Sequence, residues 1–363
     1  MEKFAFVLHP LETMDFARKY SIAKKISPTI LEGILKYIPP IKVSHISGIT
    51  SPYNEAEGWF VACPLTSKQM ITLSEDYVLN KIIKTGKLAE KLGAKILGLG
   101  AFTSVVGDAG ITIAKNLQIP VTTGNSYTVA TAIAGTKKAA SIMGLEMKKA
   151  NVVILGATGS IGAACAQILA SEVKYLTLVA RDELKLEKVA KKIYADFGLS
   201  VRVTNHSKVA LRSADIVIAV TSALDSIVEV EDLKVGAIVC DVARPRNVSR
   251  KVAQLRDDIL VIEGGVVEVP GDVNFGFSFG FPEKMAYACM AETMILALEG
   301  RYESFTLGRE LTVKQIEVMS QLADKHGFRL AGLRSFERAI TAEEINQIKS
   351  NVAQNGKVRK DAG

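Results

Sequence analysis

Three observations predict an α/β fold. A strand, a glycine-bearing turn and a helix follow one another directly in NVVILGATGSIGAACAQI, from Asn151 onward. Strand-like runs LTLVA, VRVT, DIVIAV, AIVCD and ILVI then alternate with helical stretches to about residue 270, apolar throughout and without strict alternation, as parallel strands covered on both faces would be. The chain has 363 residues, 48% of them hydrophobic, which is enough for two separate cores. Together these predict a Rossmann-like parallel-sheet domain, preceded by an N-terminal α/β substrate lobe and completed by C-terminal helices.

Taken in order, the first lobe spans 1–144. Phe4 to Leu8 and Ile41 to Ser47 read as strands, Thr13 to Lys25 as a helix, and Pro28 to Tyr37 as a second helix whose proline sits where no backbone donor is needed. Glu57 to Cys63 is another strand, and Leu73 to Leu92 is helical and stops at Gly93, suited to a left-handed cap. AKILGLGAF is a buried strand, TIAKNLQIPVTTGN a short helix and strand, and Ser126 to Met143 a long helix rich in small residues. The polar EMKKA then marks a boundary, so the dinucleotide-binding domain is expected over 145–275. Helices over 283–299 and 311–326 fall in a segment, 276–348, expected to complete the active site. The tail 349–363 is polar and weakly patterned and is expected to be disordered.

The formal charge is +7, and the tail alone holds Lys349, Lys357, Arg359 and Lys360 against Asp361. The remaining surplus favours acidic small molecules or an acidic protein as partners. No zinc-finger or aromatic RNA-binding pattern points to nucleic acid, and no apolar stretch is long and unbroken enough for a membrane span. Four cysteines, far apart in sequence, match neither a metal site nor a secreted disulfide framework, which makes a reducing cytoplasmic setting the expectation. The four histidines are equally scattered and predict no metal centre.

The turn carries Gly156, Gly159 and Gly162, with Thr158, Ser160 and Ile161 between and beside them. In this spacing the first glycine allows a tight bend, the second admits a pyrophosphate to the backbone, and the third lets helix lie on strand. Amide groups from about Ser160 would face phosphate oxygens. At the end of the next strand, Arg181 is suited to grip a 2′-phosphate, which favours NADP(H), whereas the adjacent Asp182 would either accept ribose hydroxyls or cap the following helix. Thr221, Ser222 and Ala223 end a later strand at the edge where cofactor and substrate bind such sheets. Arg244 and Arg246, in CDVARPRNVS, are available for carboxylate or phosphate.

In KMAYACMAETM, a continuous helix places Met285, Cys289, Glu292 and Leu296 on one face. Cys289 is then either a small apolar plug or a nucleophile able to exchange with a thioester, with Glu292 orienting a partner or relaying a proton. Cys63, Cys165 and Cys240 are better explained by packing.

The pieces LGLGAFTSVV, TTGNSYTVATA, VVILGATGSIGAA, IEGGVVEVPGD, PEKMAYACMAETMILALEG and LADKHGFRLAG, in this order from about residue 4 to about residue 335, resemble those of the cyanobacterial long-chain acyl-acyl-carrier-protein reductases. The resemblance implies NADPH-dependent reduction of a fatty acyl thioester to a fatty aldehyde, a middle domain similar to that of shikimate dehydrogenases, and Cys289 as nucleophile. It implies supporting roles for Ser104, Asn125 and Glu292, and acyl carrier protein or acyl-CoA as donor with an aldehyde-consuming enzyme downstream. Tyr127 stands where the family has a histidine, DVARPRN is more basic than the corresponding family stretch, and the C-terminal extension is a further departure. Two alternatives stay open: a shikimate- or amino-acid-dehydrogenase-like enzyme acting on a small polar substrate, and a non-catalytic NADP-binding redox sensor. Oligomeric state and acyl chain length are not legible in the sequence.

Overall fold

The computed structural model describes residues 1–20, 23 and 25–361. Two compact units form. The first comprises Met1–Tyr127, Val267–Leu311 and Gln315–Arg329, and the second comprises Thr128–Val266, Thr312–Lys314 and Leu330–Gly363. The division falls inside the helix Asn125–Met143, earlier than the polar stretch that suggested residue 145, and the segment 276–348 is shared between the two units.

In the first unit, β1 (Glu2–Leu8), β2 (Ile41–Thr50), β3 (Glu55–Ala62), β4 (Leu97–Leu99) and β5 (Val121–Thr122) belong to one sheet. In the second, β6 (Asn151–Leu155), β7 (Tyr175–Val179), β8 (Arg202–Thr204), β9 (Ile216–Ala219), β10 (Ile238–Asp241) and β11 (Leu260–Glu263) form another. The chain then passes through β12 (Val266–Glu268) to β13 (Gly271–Asn274), which returns to the first sheet.

The first sheet has the order β13-β2-β3-β1-β4-β5, with β3, β1, β4 and β5 parallel and β2 and β13 antiparallel at one side. Its alternating residues point two ways. Ala5, Val7, Trp59, Val61, Leu97 and Leu99 meet Val78 and Ile82 of the helix Glu75–Lys91. The opposite face carries Phe6, Phe60, Gly58 and Gly98, and the helix Ala288–Leu298 lies over β1, β3 and β4 there. Close approach explains one of the glycines: a Cβ at Gly98 would stand 2.0 Å from Thr293 Oγ1 of that helix.

The second sheet is parallel throughout, in the order β11-β10-β9-β6-β7-β8, which is the doubly wound arrangement in which the chain reverses direction beside its first strand. Every residue of β9, β10 and β11 is buried, as apolar runs without alternation require.

Several expectations change. The helix expected over 13–25 is Thr13–Lys19, and positions 21, 22 and 24 lie outside the described residues. The segment 283–299 is not one helix: Met285–Tyr287 is extended and the helix begins at Ala288. The cause is local, since Lys284 adopts a left-handed φ of 64° and its carbonyl accepts from Val269 N at 2.7 Å, which holds the next residues in a strand. The tail expected to be disordered from 349 instead continues the helix Ala342–Asp361, with residues 362 and 363 outside the described range. Its start is capped reciprocally, Thr341 N donating to Glu344 Oε2 and Glu344 N to Thr341 Oγ1. Further on, Asn351 Nδ2 donates to Asp257 O, and Val352 packs over Gly236.

Candidate functional site: a thiol at a helix start and a glycine turn

Three parallel strands of the first unit deliver their following residues to one edge. His9 follows β1, the turn Ala101–Ser104 follows β4, and Thr123, Gly124 and Asn125 follow β5. His9 joins two of them: its Nε2 accepts from Phe102 N at 3.2 Å, so its proton resides on Nδ1, which donates to Pro10 O at 3.0 Å. Burial of the ring pushes its pKa down to about 4. Ser104 Oγ donates to Ala101 O at 2.7 Å, closing the same turn, in which Ala101 has a left-handed φ of 48°.

Cys289 is the second residue of the helix Ala288–Leu298, after the N-cap Tyr287. The late start of that helix matters, because it places the thiol in the first turn, where the helix dipole presents its positive end. The expected shared face with Met285 does not exist. Among the four cysteines, Cys289 alone is partly exposed. Cys63, Cys165 and Cys240 are fully enclosed, and desolvation pushes the Cys63 and Cys240 thiols up to about 12 and raises Cys165 as well. Gly124, at φ 74°, lies directly against the cysteine backbone.

Glu292 is completely buried, and all four of its partners donate to it. Thr122 Oγ1 (2.5 Å) and Thr306 Oγ1 (2.8 Å) reach Oε1, while Ser126 Oγ (2.6 Å) and Tyr127 N (3.0 Å) reach Oε2. Both oxygens are therefore engaged in holding the 122–127 turn and the start of the helix Asn125–Met143. This makes Glu292 an anchor for the turn that touches Cys289. Asn125, 9% exposed, opens that helix, and Tyr127 is buried with its phenol pKa raised by desolvation. Sequence reasoning missed Thr122 and Ser126, whose partner lies far away in the chain, and Thr306, which sits in a loop with no pattern to mark it.

In the second unit the glycine turn has the geometry its spacing predicts. Gly156 has φ 85°, and a Cβ there would stand 2.9 Å from Val220 O. A Cβ at Gly162 would stand 2.3 Å from Gly156 O, so the helix Ser160–Ala170 can seat on the strand only with glycine. Gly159 is the N-cap and is exposed, and a Cβ there would meet just Gly156 O, at 3.4 Å. That open face is where a pyrophosphate would be admitted, with Thr158, Ser160 and Ile161 half-buried around it. These residues fit a nicotinamide dinucleotide. Arg181 is exposed beyond β7, whereas Asp182 is already used: its Oδ1 accepts from Lys185 N at 3.0 Å as a helix cap, and Oδ2 pairs with Lys185 Nζ. Thr221 and Ala223 are half-buried and Ser222 is exposed after β9.

The loop after β10 differs from expectation. Arg244 Nη2 and Arg246 Nη2 both bind Glu263 Oε1, at 3.0 and 2.6 Å, and Arg246 also binds Glu337, so neither guanidinium is free to receive a substrate anion. Asn247, fully buried, orders the loop after β9 through its Oδ1, which accepts from Thr221 N at 2.8 Å. No cluster of His, Cys, Asp or Glu among the described residues could hold a metal ion, and none of the described helices is long and apolar enough to cross a membrane.

Comparison with known proteins matches residues 137–262 to the shikimate / quinate 5-dehydrogenase family. The second unit is a Rossmann-type dinucleotide-binding domain. Over nearly its whole length the chain is 28% identical to the aminotransferase PigE of a Serratia species, covering 96% of this chain and 42% of that protein. It thus spans less than half of that relative. It is 27% identical to the long-chain acyl-[acyl-carrier-protein] reductase of Synechococcus elongatus, covering 80% of this chain and 87% of that one. Among solved structures, quinate dehydrogenase from Corynebacterium glutamicum in complex with NAD aligns with 72% of this chain and 88% of its own, at a TM-score of 0.36 and 14% identity.

Proposed function

We propose that this chain is an NAD(P)-dependent oxidoreductase that reduces an acyl thioester to an aldehyde through an acyl-enzyme on Cys289. The observation that carries the reading is the thiol's placement, partly exposed in the first turn of a helix and braced by the Gly124 backbone, while the other three cysteines are sealed. Similarity to the Synechococcus reductase along most of both chains supports it.

The Cys289 thiolate attacks the thioester carbonyl carbon. A new C–S bond forms, the bond to the donor's sulfur breaks, and the donor thiolate takes a proton from solvent. A bound reduced nicotinamide would supply the hydride that turns the acyl group into an aldehyde. Departure of the aldehyde regenerates the Cys289 thiolate. Asn125 follows the Gly124 that packs on Cys289, and Ser104 closes the turn after the neighbouring strand β4; both are proposed to orient the acyl carbonyl, with Glu292 holding the Gly124 turn in place. Arg181, with Asp182 occupied as a cap, favours NADP(H) over NAD(H). The basic surplus suits an acidic acyl carrier protein or the phosphates of acyl-CoA, and an aldehyde-consuming enzyme would take the product.

A second reading is favoured by the family match at 137–262: hydride transfer to or from a small polar hydroxy acid, with Cys289 as packing. One experiment separates the two. The purified chain is given NADPH or NADH with acyl carrier protein thioesters, acyl-CoA, shikimate or quinate, and products are identified by mass spectrometry for the native protein and Cys289→Ala. The proposal expects aldehyde from thioesters and none from Cys289→Ala. Aldehyde formation that survives the substitution rejects the covalent route, and turnover of the hydroxy acids alone selects the second reading.

A further inference from the structure

We infer that residues 276–283 form an aromatic strap that shields the Cys289 acyl-enzyme from water; the inference rests on the reading of Cys289 as nucleophile. The stretch FGFSFGF places Phe275, Phe277, Phe279 and Phe281 at every second position with only glycine or serine between them. Rings from this stretch make a continuous row. Phe60, in the sheet, stacks on Phe275 at 5.9 Å between centroids, Phe275 meets Phe279 at 5.2 Å, Phe279 meets Phe281 at 6.1 Å, and Phe281 meets Tyr287 at 4.7 Å. Tyr287 is the N-cap of the helix bearing Cys289, so the row runs from the buried sheet to the turn that presents the thiol.

The strap is fixed at both ends. Ser44 Oγ donates to Phe275 O at 2.7 Å and Gly276 N to Asn274 Oδ1 at 2.8 Å, while Lys284 Nζ binds Asp272 Oδ1 at 2.7 Å. Between these ties the chain turns at Gly276 (φ 59°) and Gly280 (φ 104°), conformations natural to glycine. Phe275 is buried, but Phe277, Phe279 and Phe281 stay half-buried. The outer rings therefore keep apolar surface open along the row that ends at Tyr287, two residues before Cys289. Such surface has a use on a thioester intermediate, where aldehyde formation and hydrolysis compete and exclusion of water decides between them. In hydrolysis a water oxygen bonds to the acyl carbon, the C–S bond breaks, Cys289 leaves as thiolate, and a carboxylic acid is released while the second water proton passes to solvent. In reduction the same C–S bond breaks after hydride reaches the carbon.

The test loads Cys289 from acyl-CoA with no nicotinamide present and follows decay of the acylated protein by intact-mass spectrometry, then repeats with NADPH and measures the ratio of acid to aldehyde. Phe281→Ala is the first variant, Phe279→Ala gives the same readout at a second ring, and Phe281→Leu keeps the apolar bulk. Acyl-enzyme on the alanine variants is expected to hydrolyse roughly tenfold faster than on the native protein, with a matching rise in acid over aldehyde and near-native behaviour for Phe281→Leu. Decay and product ratio unchanged in both alanine variants that still load at Cys289 would overturn the strap. Failure of the native protein to load at all would instead strike the underlying reading of Cys289.

Discussion

Gly124 and Cys289 are packed backbone to backbone: a Cβ added to Gly124 would lie 2.3 Å from Cys289 Cα and 2.4 Å from its Cβ. The left-handed φ of 74° adds strain for any other residue. Gly124→Ala is therefore expected to destabilise the first unit by roughly 2 kcal/mol or more and to displace the thiol. Denaturant unfolding checks the first effect, and the rate of alkylation of the native protein checks the second.

Desolvation at Cys63, Cys165 and Cys240 leaves a single accessible thiol. Under native conditions a maleimide is expected to label Cys289 and, on the same timescale, no other cysteine, with peptide mapping as the readout. Labelling of Cys165 or Cys240 before unfolding would contradict the packing of the second unit.

Four donors converge on Glu292. In Glu292→Gln an amide NH2 must face two of them, which leaves buried donors unmatched at a cost of about 2–4 kcal/mol. Thermal unfolding should show the loss, together with slower alkylation of Cys289, whereas Ser126→Ala, which removes a single donor, should be milder on both measures.

Arg181 is exposed just beyond β7, and Asp182 is tied to Lys185, so the proposed NADP(H) preference rests on the arginine. Arg181→Ala is expected to weaken NADPH binding by about ten- to a hundredfold, with little change for NADH. Fluorescence titration of both cofactors is the check, and an equal loss for the two would remove the NADP(H) assignment.

Because burial holds the folded His9 pKa near 4, below the ordinary imidazole value of about 6.5, the unfolded chain binds more protons between those values. His9 therefore contributes stability that is present above about pH 6.5 and lost as pH falls toward 4, by at most about 1.4 kcal/mol per pH unit. Protonation would also turn Nε2 from acceptor to donor and break its bond from Phe102 N. His9→Gln should flatten the pH dependence of the unfolding midpoint across this range.

The dinucleotide turn was legible because its requirements are local. Gly156 and Gly162 answer backbone angles and close approaches within one strand–turn–helix, and the apolar runs of β9, β10 and β11 report burial directly. The disposition of Arg244 and Arg246 was not legible, because the partners that occupy them, Glu263 and Glu337, are brought alongside only when β11 and the chain around Glu337 fold against that loop. The final helix escaped notice for a related reason: its sequence is weakly amphipathic, and its anchoring to Asp257 and Gly236 depends on residues about a hundred positions earlier.

By itself the sequence determined that this chain makes a parallel nucleotide-binding sheet, where its glycine turn lies, and that one cysteine sits among small apolar residues. Tertiary structure decided where that cysteine sits. The left-handed turn at Lys284 and the pairing of its carbonyl delay the helix to Ala288, which puts Cys289 in a first turn instead of mid-helix. Packing against Gly124 and the four donors on Glu292 then fix it there. The physical reason is range: φ preferences and hydrophobic period act over a few residues, whereas a buried carboxylate and a close backbone contact exist only after strands remote in sequence have paired.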